Sequence, residues 1–189
     1  MITAIDKNTA LVLIDFQKGI LGYKLAHPIS SVLEKAALLV EAFRKEDLPV
    51  VVVNVVSSGA WRTTRKDVPS PVNNLYSPEF SEISEKIKTE PFDIFITKEH
   101  WSAFGNTPLH EELQKRKITG IVLAGVSTSK GVEGTARAAS ERAYNISFAT
   151  DAMTDPNGEA HKNSIEVIFP GLGERGTSEE IIEKLKNRK

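Results

Sequence analysis

The chain has 189 residues, the length of one domain, and its 24 Lys and Arg nearly balance 25 Asp and Glu, for a net charge of −1. We therefore expect a single domain over 1–189, with neither nucleic acid nor an anionic membrane surface as partner. The absence of Cys excludes disulfides, thiolate metal sites and thiol catalysis. The first residues lack the apolar stretch of a signal peptide, so we expect a cytoplasmic protein.

Short apolar runs alternate along the chain with longer segments of helical periodicity. Strands are predicted at 10–14, 49–56, 93–97, 118–124 and 145–150, and helices at 31–45, 107–117, 131–144 and 178–186. Residues 164–169 fit either state. The alternation predicts an α/β fold of three layers, doubly wound, with a mostly parallel sheet. The stretch 57–90, rich in Pro, Ser and Asn, is interpreted as an insertion over the sheet.

Three of the predicted strands end in residues that could carry chemistry. Asp15 follows the first strand, Lys98 the third, and the turn 125–131 the fourth. Alone, an Asp in such a place is more often a turn or cap residue, and a Lys is usually a solvated surface charge. In an open parallel sheet, however, ligands bind outside the carboxyl ends of the strands. The convergence of all three at one edge therefore predicts a functional site.

The turn 125–131 leads from an apolar strand into a helix. Such a turn aims several backbone N–H groups at one point and forms a pocket for negative charge. A nucleophile would be most useful at the first turn of the helix, and the chain has Gly131 there. The pattern predicts a site that holds an oxyanion or carboxylate but lacks an attacking side chain. The nearest hydroxyls that could replace one belong to Ser127, Ser129 and Thr135.

These segments resemble the isochorismatase-like cysteine hydrolase superfamily, which includes nicotinamidases, carbamoylsarcosine amidases and isochorismatases. The motifs that carry the similarity, in chain order, are Ala-Leu-Val-Leu-Ile-Asp-Phe-Gln at 10–17, Lys98 with Trp-Ser-Ala-Phe at 101–104, Gly-Val-Ser-Thr at 125–128, Thr-Ala-Arg-Ala at 135–138, and Phe-Pro-Gly-Leu-Gly-Glu-Arg-Gly-Thr-Ser at 169–178. The resemblance implies that Asp15 and Lys98 are catalytic. It places Gly131 where amide-hydrolysing members carry Cys and where members that cleave isochorismate can carry Gly. It also implies a cis peptide bond between Val126 and Ser127, and a homo-oligomer.

Hydrolysis of a vinyl ether fits this set of residues, because it needs a proton on carbon and then water, and no nucleophilic side chain. We expect Asp15 to be the general acid and Lys98 to orient it or to neutralise negative charge. The N–H groups near Ser127 and Gly131 would hold a small carboxylated substrate, with isochorismate as the first candidate. The two charged groups conflict, since a neighbouring Lys lowers the pKa of an Asp that must be protonated to act. Burial would have to oppose that effect.

Residues around this site could contact the substrate. The expected oxyanion and substrate-binding residues are Val126, Ser127, Gln17, Phe16, Trp61, Arg62 and Trp101. Arg62, with Arg65, could clamp a carboxylate, and the aromatic residues could form an apolar wall. Alternatively the arginines are solvated, and the aromatic residues, Phe104 included, pack beneath the insertion. Glu133 and Arg137 are spaced for an ion pair within a helix.

Neither a metal nor another cofactor is expected. Metal-dependent nicotinamidases carry an Asp-x-His motif after the second strand, whereas residues 55–62 of this chain contain no His. The four His residues (His27, His100, His110 and His161) do not have the spacing of metal ligands. Two other functions stay open: an amide or carbamoyl hydrolase that uses no thiol, and a non-catalytic relative that binds a small acid or serves as an assembly subunit.

Overall fold

The apolar runs form one parallel β-sheet in the structure, a computed structural model that describes residues 1–56 and 76–188. Within these ranges the strands are β1 (Thr9–Ile14), β2 (Val50–Val55), β3 (Ile94–Lys98), β4 (Gly120–Val126), β5 (Asn145–Thr154) and β6 (Glu174–Gly176). The α-helices are α1 (Lys18–Leu21), α2 (Ile29–Lys45), α3 (Pro78–Ser81), α4 (Leu109–Lys115), α5 (Glu133–Ser140), α6 (Gly158–Asn163) and α7 (Ser178–Leu185). Two π-helical turns span Thr128–Val132 and Ser164–Ile168, and a 3₁₀ turn spans Phe169–Gly171.

The strand order in the sheet is β3-β2-β1-β4-β5-β6, and every neighbouring pair is parallel. The chain builds outward from β1 to β3, then returns to the other side of β1 and builds outward again to β6. Its direction of travel therefore reverses between β1 and β4. In doubly wound folds this reversal opens a crevice at the carboxyl ends of the two strands, where ligands bind.

Helices cover both faces of the sheet and give the three layers. Helices α2 and α7 pack on one face, and α2 buries the side chains that recur on one stripe, Val32, Leu33, Ala36, Leu39, Val40 and Phe43. Helices α4 and α5 pack on the other face with a second apolar cluster. Strands β1 and β4 are buried along their whole length, because both of their faces are covered. The predicted fold class is confirmed.

The main differences from the predicted elements lie near polar residues. Strand β5 runs on to Thr154, because a register shift against β4 between Leu123 and Gly125 lets the pairing continue past Asp151. The helix predicted at 131–144 begins earlier, as a π-helical turn at Thr128, and its α-helical part ends at Ser140. Residues 164–168 are helical. Strand β6 was not predicted, because three residues that end in Gly give no strand pattern.

Within 1–56 and 76–188, no helix is both long and apolar enough to span a bilayer.

Candidate active site

The crevice between β1 and β4 brings two of the predicted features together. Asp15 directly follows β1, and the π-helical turn Thr128–Val132 follows β4. The peptide bond between Val126 and Ser127 is cis, as the resemblance implies. The Ser127 carbonyl then accepts hydrogen bonds from the N–H groups of Lys130 and Val132, both at 3.2 Å. We call residues 127–132 the cradle. A π-helical turn of this kind is frequent at functional sites.

Asp15 and Lys98 form a buried ion pair. The Nζ of Lys98 donates to Oδ2 of Asp15 at 2.7 Å, and the two side chains are only 2% and 7% exposed. Asp15 has a left-handed backbone, with φ of 53°, which turns its side chain away from the alternation of β1. The side chains at the ends of the third and first strands thus lie together at one edge of the sheet, where the sequence analysis expects them to converge, with β2 between the two strands. Because both groups are removed from water, each depends on the other as a partner.

Two properties of the Asp15 carboxyl group suit it to hold a proton. Burial raises its pKa above the ordinary 3.8, and the charge and hydrogen bond of Lys98 oppose that rise without cancelling it. Its Oδ1 atom is buried and has no hydrogen-bond partner within the described part of the chain. A buried polar atom without a partner is costly and is uncommon in folded proteins. The described residues therefore leave Oδ1 without the partner that a buried carboxyl oxygen normally has.

Gly131 stands opposite this carboxyl group. A Cβ atom at this position would lie 3.2 Å from Oδ2 of Asp15 and 2.8 Å from Cγ2 of Ile14. A side chain here would thus be directed at Asp15, and it would crowd the last residue of β1. With Gly, the space between the cradle and the carboxyl group stays free of side-chain atoms from this position.

Thr135 links the cradle to the loop that follows β3. Its hydroxyl donates to the Gly131 carbonyl at 2.7 Å and accepts from the Ala103 N–H at 3.0 Å. The side chain is fully buried. Both bonding directions of this hydroxyl are thus used by the backbone, which makes Thr135 a poor candidate for a nucleophile.

The end of β5 holds the other side of the cradle. Asp155, which is 1% exposed, accepts hydrogen bonds at Oδ2 from the N–H of Ser129 at 2.9 Å and from its hydroxyl at 2.8 Å. The Thr128 hydroxyl lies 2.8 Å from Nδ1 of His161 on α6. The His161 ring in turn lies 4.5 Å, between centroids, from that of His27. The Ser129 hydroxyl, like that of Thr135, is therefore already used in a hydrogen bond, in this case to Asp155.

Gln17 and Phe16, which are also expected to contact the substrate, are buried among other contacts. Gln17 is fully buried, donates to the carbonyls of Val55 and Phe80, and accepts from the Val55 N–H, so its amide joins β1, β2 and α3. Phe16 is 1% exposed and packs in the apolar cluster under α2. These contacts assign both residues to packing and positioning.

Trp101 lies beside α5, the helix that follows the cradle. It is 43% exposed, and a Cβ on Gly134 of α5 would come within 3.3 Å of its Cβ. Phe104 is buried in the opposite cluster and stacks with Tyr144. Val126 is fully buried at the end of β4, and Ser127 is partly exposed. Trp61, Arg62 and Arg65, which the sequence also predicts near the substrate, lie outside the described residues.

Two further expectations concern charged and metal-binding groups. Glu133 and Arg137 form the predicted ion pair on α5, at 3.0 Å. Within 1–56 and 76–188, the structure contains no group of three or more His, Asp or Glu side chains arranged to hold a metal.

Sequence reasoning missed Asp155 and His161, which hold the cradle from the side of β5. The prediction ended β5 at Thr150, so that Asp155 fell in a loop with no strand end to place it. The signal that could have found it is Asp-Pro-Asn at 155–157, a turn sequence followed by a helix.

Comparisons of the chain with a family model, with curated proteins and with solved structures agree on one family. The isochorismatase domain model matches residues 9–180. The chain is 38% identical over 183 residues to an uncharacterized isochorismatase family protein, YecD, of Escherichia coli, with 95% of this chain and 97% of that protein covered. A solved isochorismatase family protein of Burkholderia thailandensis superimposes with a TM-score of 0.90 at 36% identity, covering 97% of this chain and 98% of that one. A maleamate amidohydrolase of Pseudomonas putida is 24% identical, over 96% of this chain and 88% of its own length.

Proposed function

The chain belongs to the isochorismatase family, a family of hydrolases, and we propose that it hydrolyses a vinyl ether in a small carboxylated molecule, with Asp15 as the general acid. The first candidate substrate is isochorismate, which would give pyruvate and a dihydroxycyclohexadiene carboxylate. The proposal rests on one group, the buried carboxyl of Asp15, with its raised pKa and an Oδ1 that has no partner among the described residues.

The proposed reaction begins with transfer of the Asp15 proton to the terminal carbon of the vinyl group. The carbon that bears the ether oxygen becomes an oxocarbenium ion, while Asp15 is left as a carboxylate that Lys98 stabilises. Water then adds to the cation and returns a proton to Asp15. The resulting hemiketal collapses: the bond between its carbon and the oxygen attached to the ring breaks, and its hydroxyl gives up a proton to become the keto group. The oxygen on the ring takes a proton as an alcohol, and the keto acid leaves.

This chemistry fits a site that lacks a nucleophilic side chain. Gly131 leaves the space opposite Asp15 open, and the chain has no Cys. Of the three nearby hydroxyls, that of Ser129 is bound to Asp155 and that of Thr135 to two backbone groups, which leaves that of Ser127 as the remaining candidate. An acyl-enzyme route would need a hydroxyl free to attack and a base to activate it.

The pairing with Lys98 serves both halves of the cycle. A carboxyl group held only by an apolar pocket would give up its proton reluctantly, because the charge it acquires would be unpaired. Here burial raises the pKa of Asp15 and so favours the protonated acid before reaction, and the ammonium group stabilises the anion afterwards. The N–H groups of Ser129, Lys130 and Val132 are bound within the chain, so those near Ser127 and Gly131 are the ones proposed to bind the substrate carboxylate.

Release of pyruvate from isochorismate by the purified protein, followed by a coupled reductase assay, tests the proposal. We expect turnover by the wild-type chain and its loss in Asp15→Asn. Binding of isochorismate without release of pyruvate would instead support a non-catalytic small-acid binder, and the enzymatic proposal would then be wrong.

An amide hydrolase is the second candidate, favoured by the overall similarity to maleamate amidohydrolase. A screen of small amides with the wild-type chain and with Gly131→Cys separates the two reactions. Amide turnover by the unmodified chain would contradict vinyl ether hydrolysis as its main activity. A gain of amide turnover only in Gly131→Cys would leave the present proposal intact and would point to descent from a thiol hydrolase.

A further inference from the structure

The Asp155 carboxylate is buried at the end of β5 and is held by hydrogen bonds from neutral donors. Its Oδ2 accepts two bonds from Ser129, and its Oδ1 accepts the N–H of Asn157 at 2.9 Å. Within the described ranges, no Lys or Arg forms an ion pair with it. A carboxylate that is 1% exposed and lacks a cation partner depends on these donors to remain stable.

These bonds act on the backbone of the cradle. The N–H of Ser129 points at Asp155, so the orientation of that peptide group is fixed, and Ser129 precedes Gly131 by only two residues. The donor from Asn157 ties the same carboxylate to the start of α6, where the Asn157 side chain caps the helix by accepting from the N–H groups of Glu159 and Ala160. Asp155 therefore joins the cradle to α6 through the end of β5.

A second contact holds the neighbouring residue of the cradle from the same side. The Thr128 hydroxyl lies 2.8 Å from Nδ1 of His161, and Thr128 is fully buried. On the opposite side, Thr135 holds the Gly131 carbonyl. The cradle is thus fixed at its beginning by β5 and α6, and near its end by α5. Loss of the contacts at its beginning would let it shift relative to Asp15.

We propose that Asp155 is a positioning residue of the site: by holding Ser129 it sets the direction of the cradle N–H groups and thereby the affinity for the substrate carboxylate. The part of this inference that concerns the substrate rests on the proposed function. The part that concerns the order of the cradle does not. Asp155 itself touches no reacting atom.

The same strand offers a matched control. Asp151 accepts the N–H of Ser178 at 2.7 Å and the Ser178 hydroxyl at 2.8 Å, at the start of α7. The two Asp–Ser arrangements use the same donors, but the one at Asp151 holds a helix that packs under α2, away from the cradle. A role that is merely structural would give the same result in both places.

The test compares Asp155→Asn with Asp151→Asn. Asn offers one oxygen in place of two, so at position 155 it can serve the N–H of Ser129 or that of Asn157 but not both. We expect the KM for isochorismate to rise on the order of tenfold or more in Asp155→Asn, since a hydrogen bond to a charged group is lost. The pH at which the rate falls to half should not move, because Asp15 and Lys98 are unchanged. In Asp151→Asn the melting temperature should fall while the KM stays as in the wild-type chain.

Amide hydrogen exchange gives a readout that needs no turnover. We expect faster exchange at residues 127–132 in Asp155→Asn, and at residues 178–181 in Asp151→Asn. If the wild-type chain releases no pyruvate, the proposed function is wrong, and exchange alone decides the positioning role. Unchanged exchange in the cradle of Asp155→Asn, or an equal KM in both variants of an active enzyme, would overturn the inference.

A milder variant covers the case in which Asp155→Asn does not fold. Ser129→Ala removes the hydroxyl bond and keeps the N–H bond to Asp155. We expect a smaller change in the same direction, both in KM and in cradle exchange. If Ser129→Ala leaves both quantities at their wild-type values, Asp155 does not act through Ser129 and the inference fails.

Discussion

The ammonium group of Lys98, at the end of β3, lies 2.7 Å from the carboxyl group of Asp15, which follows β1, although β2 lies between the two strands. The pair lies beside the crevice where the strand order reverses, opposite a glycine. The geometry joins a carboxyl group whose pKa burial raises to a cation that stabilises the ionised carboxylate. The predictions below depend on this relationship.

Asp15→Asn should abolish catalysis while leaving much of the fold intact. General acid catalysis contributes on the order of 10²–10⁴-fold, so we expect the rate of pyruvate release to fall by about that factor. The matched control is Asp93→Asn, which weakens the ion pair of the buried Asp93 with the partly exposed Arg44, at 2.7 Å, before the start of β3 and away from Asp15. Both variants should lose thermal stability, but only Asp15→Asn should lose activity. Equal activity in the two variants would remove Asp15 from the mechanism.

The rate should fall as pH rises through the pKa of Asp15. That pKa is raised by burial, whereas the charge and hydrogen bond of Lys98 lower it. Replacement of Lys98 by Met, which is similar in length and uncharged, removes the lowering effects. The midpoint of the pH–rate profile should then move to higher pH, by about 1–3 units. A midpoint that stays in place, or moves to lower pH, would show that another group limits the rate.

The raised pKa of Asp15 also makes the stability of the fold depend on pH. The direction is opposite to that of a typical Asp, whose pKa is lowered on folding. A group whose pKa is raised on folding stabilises the fold below its unfolded pKa, here 3.8, and this contribution is lost as pH rises through the folded pKa. In Lys98→Met the folded pKa is higher still, so the loss should extend to higher pH. Denaturant unfolding of both chains across the acidic range measures the difference, and parallel curves would contradict it.

Gly131→Ala should lower both stability and activity. The added methyl group would lie 2.8 Å from Cγ2 of Ile14, and such crowding costs about 1–3 kcal/mol. The better helix propensity of Ala offsets only about 0.5–1 kcal/mol of that cost. The methyl group would also lie 3.2 Å from Oδ2 of Asp15, and the displaced carboxyl should reduce the rate on the order of 10²-fold.

Gly171→Ala is the control for this substitution, because a Cβ there would meet nothing within 4 Å. We expect its melting temperature and its rate to match those of the wild-type chain. If Gly131→Ala is as stable and as active as Gly171→Ala, the space opposite Asp15 is not needed for the reaction.

His161 should make stability fall in weak acid. Burial, and after it the charge of His27, lowers the pKa of His161 below the ordinary 6.5, with Asp155 acting in the opposite direction. The unfolded chain therefore takes up its proton first as pH falls through about 6.5, and the fold loses stability from there down to the folded pKa. In His161→Asn, which cannot be protonated, melting temperature should fall less between about pH 7 and pH 5. His27→Asn should also weaken the pH dependence, because the repulsion is removed. An unchanged slope in His161→Asn would show that other groups cause it.

Much of the architecture follows from local patterns in the chain. The continuous apolar run of β1 and the β-branched run of β2 predict buried strands, and the spacing of apolar residues in α2 predicts one face packed on a sheet. The ends of the predicted elements are less accurate where polar residues interrupt the pattern, because a partner elsewhere decides whether the pairing continues. Asp151 is such a case, since Ser178 satisfies its carboxylate.

The features of the site likewise divide into those that the sequence shows and those that only the fold creates. The sequence by itself determines that Asp15, Lys98 and the turn around Gly131 lie at carboxyl ends of strands, because side-chain type and position after a strand are local properties. Only the tertiary structure decides that Asp15 is buried, that residues 1–56 and 76–188 give its Oδ1 no partner, that Gly131 faces it, and that the side chain of Gln17 is hydrogen-bonded to backbone groups. Asp155 holds the cradle because β5 pairs with β4, and the sequence does not show that pairing. The physical reason is that burial, hydrogen-bond satisfaction and pKa depend on what chain folding brings from distant positions, and a run of neighbouring residues does not contain that information.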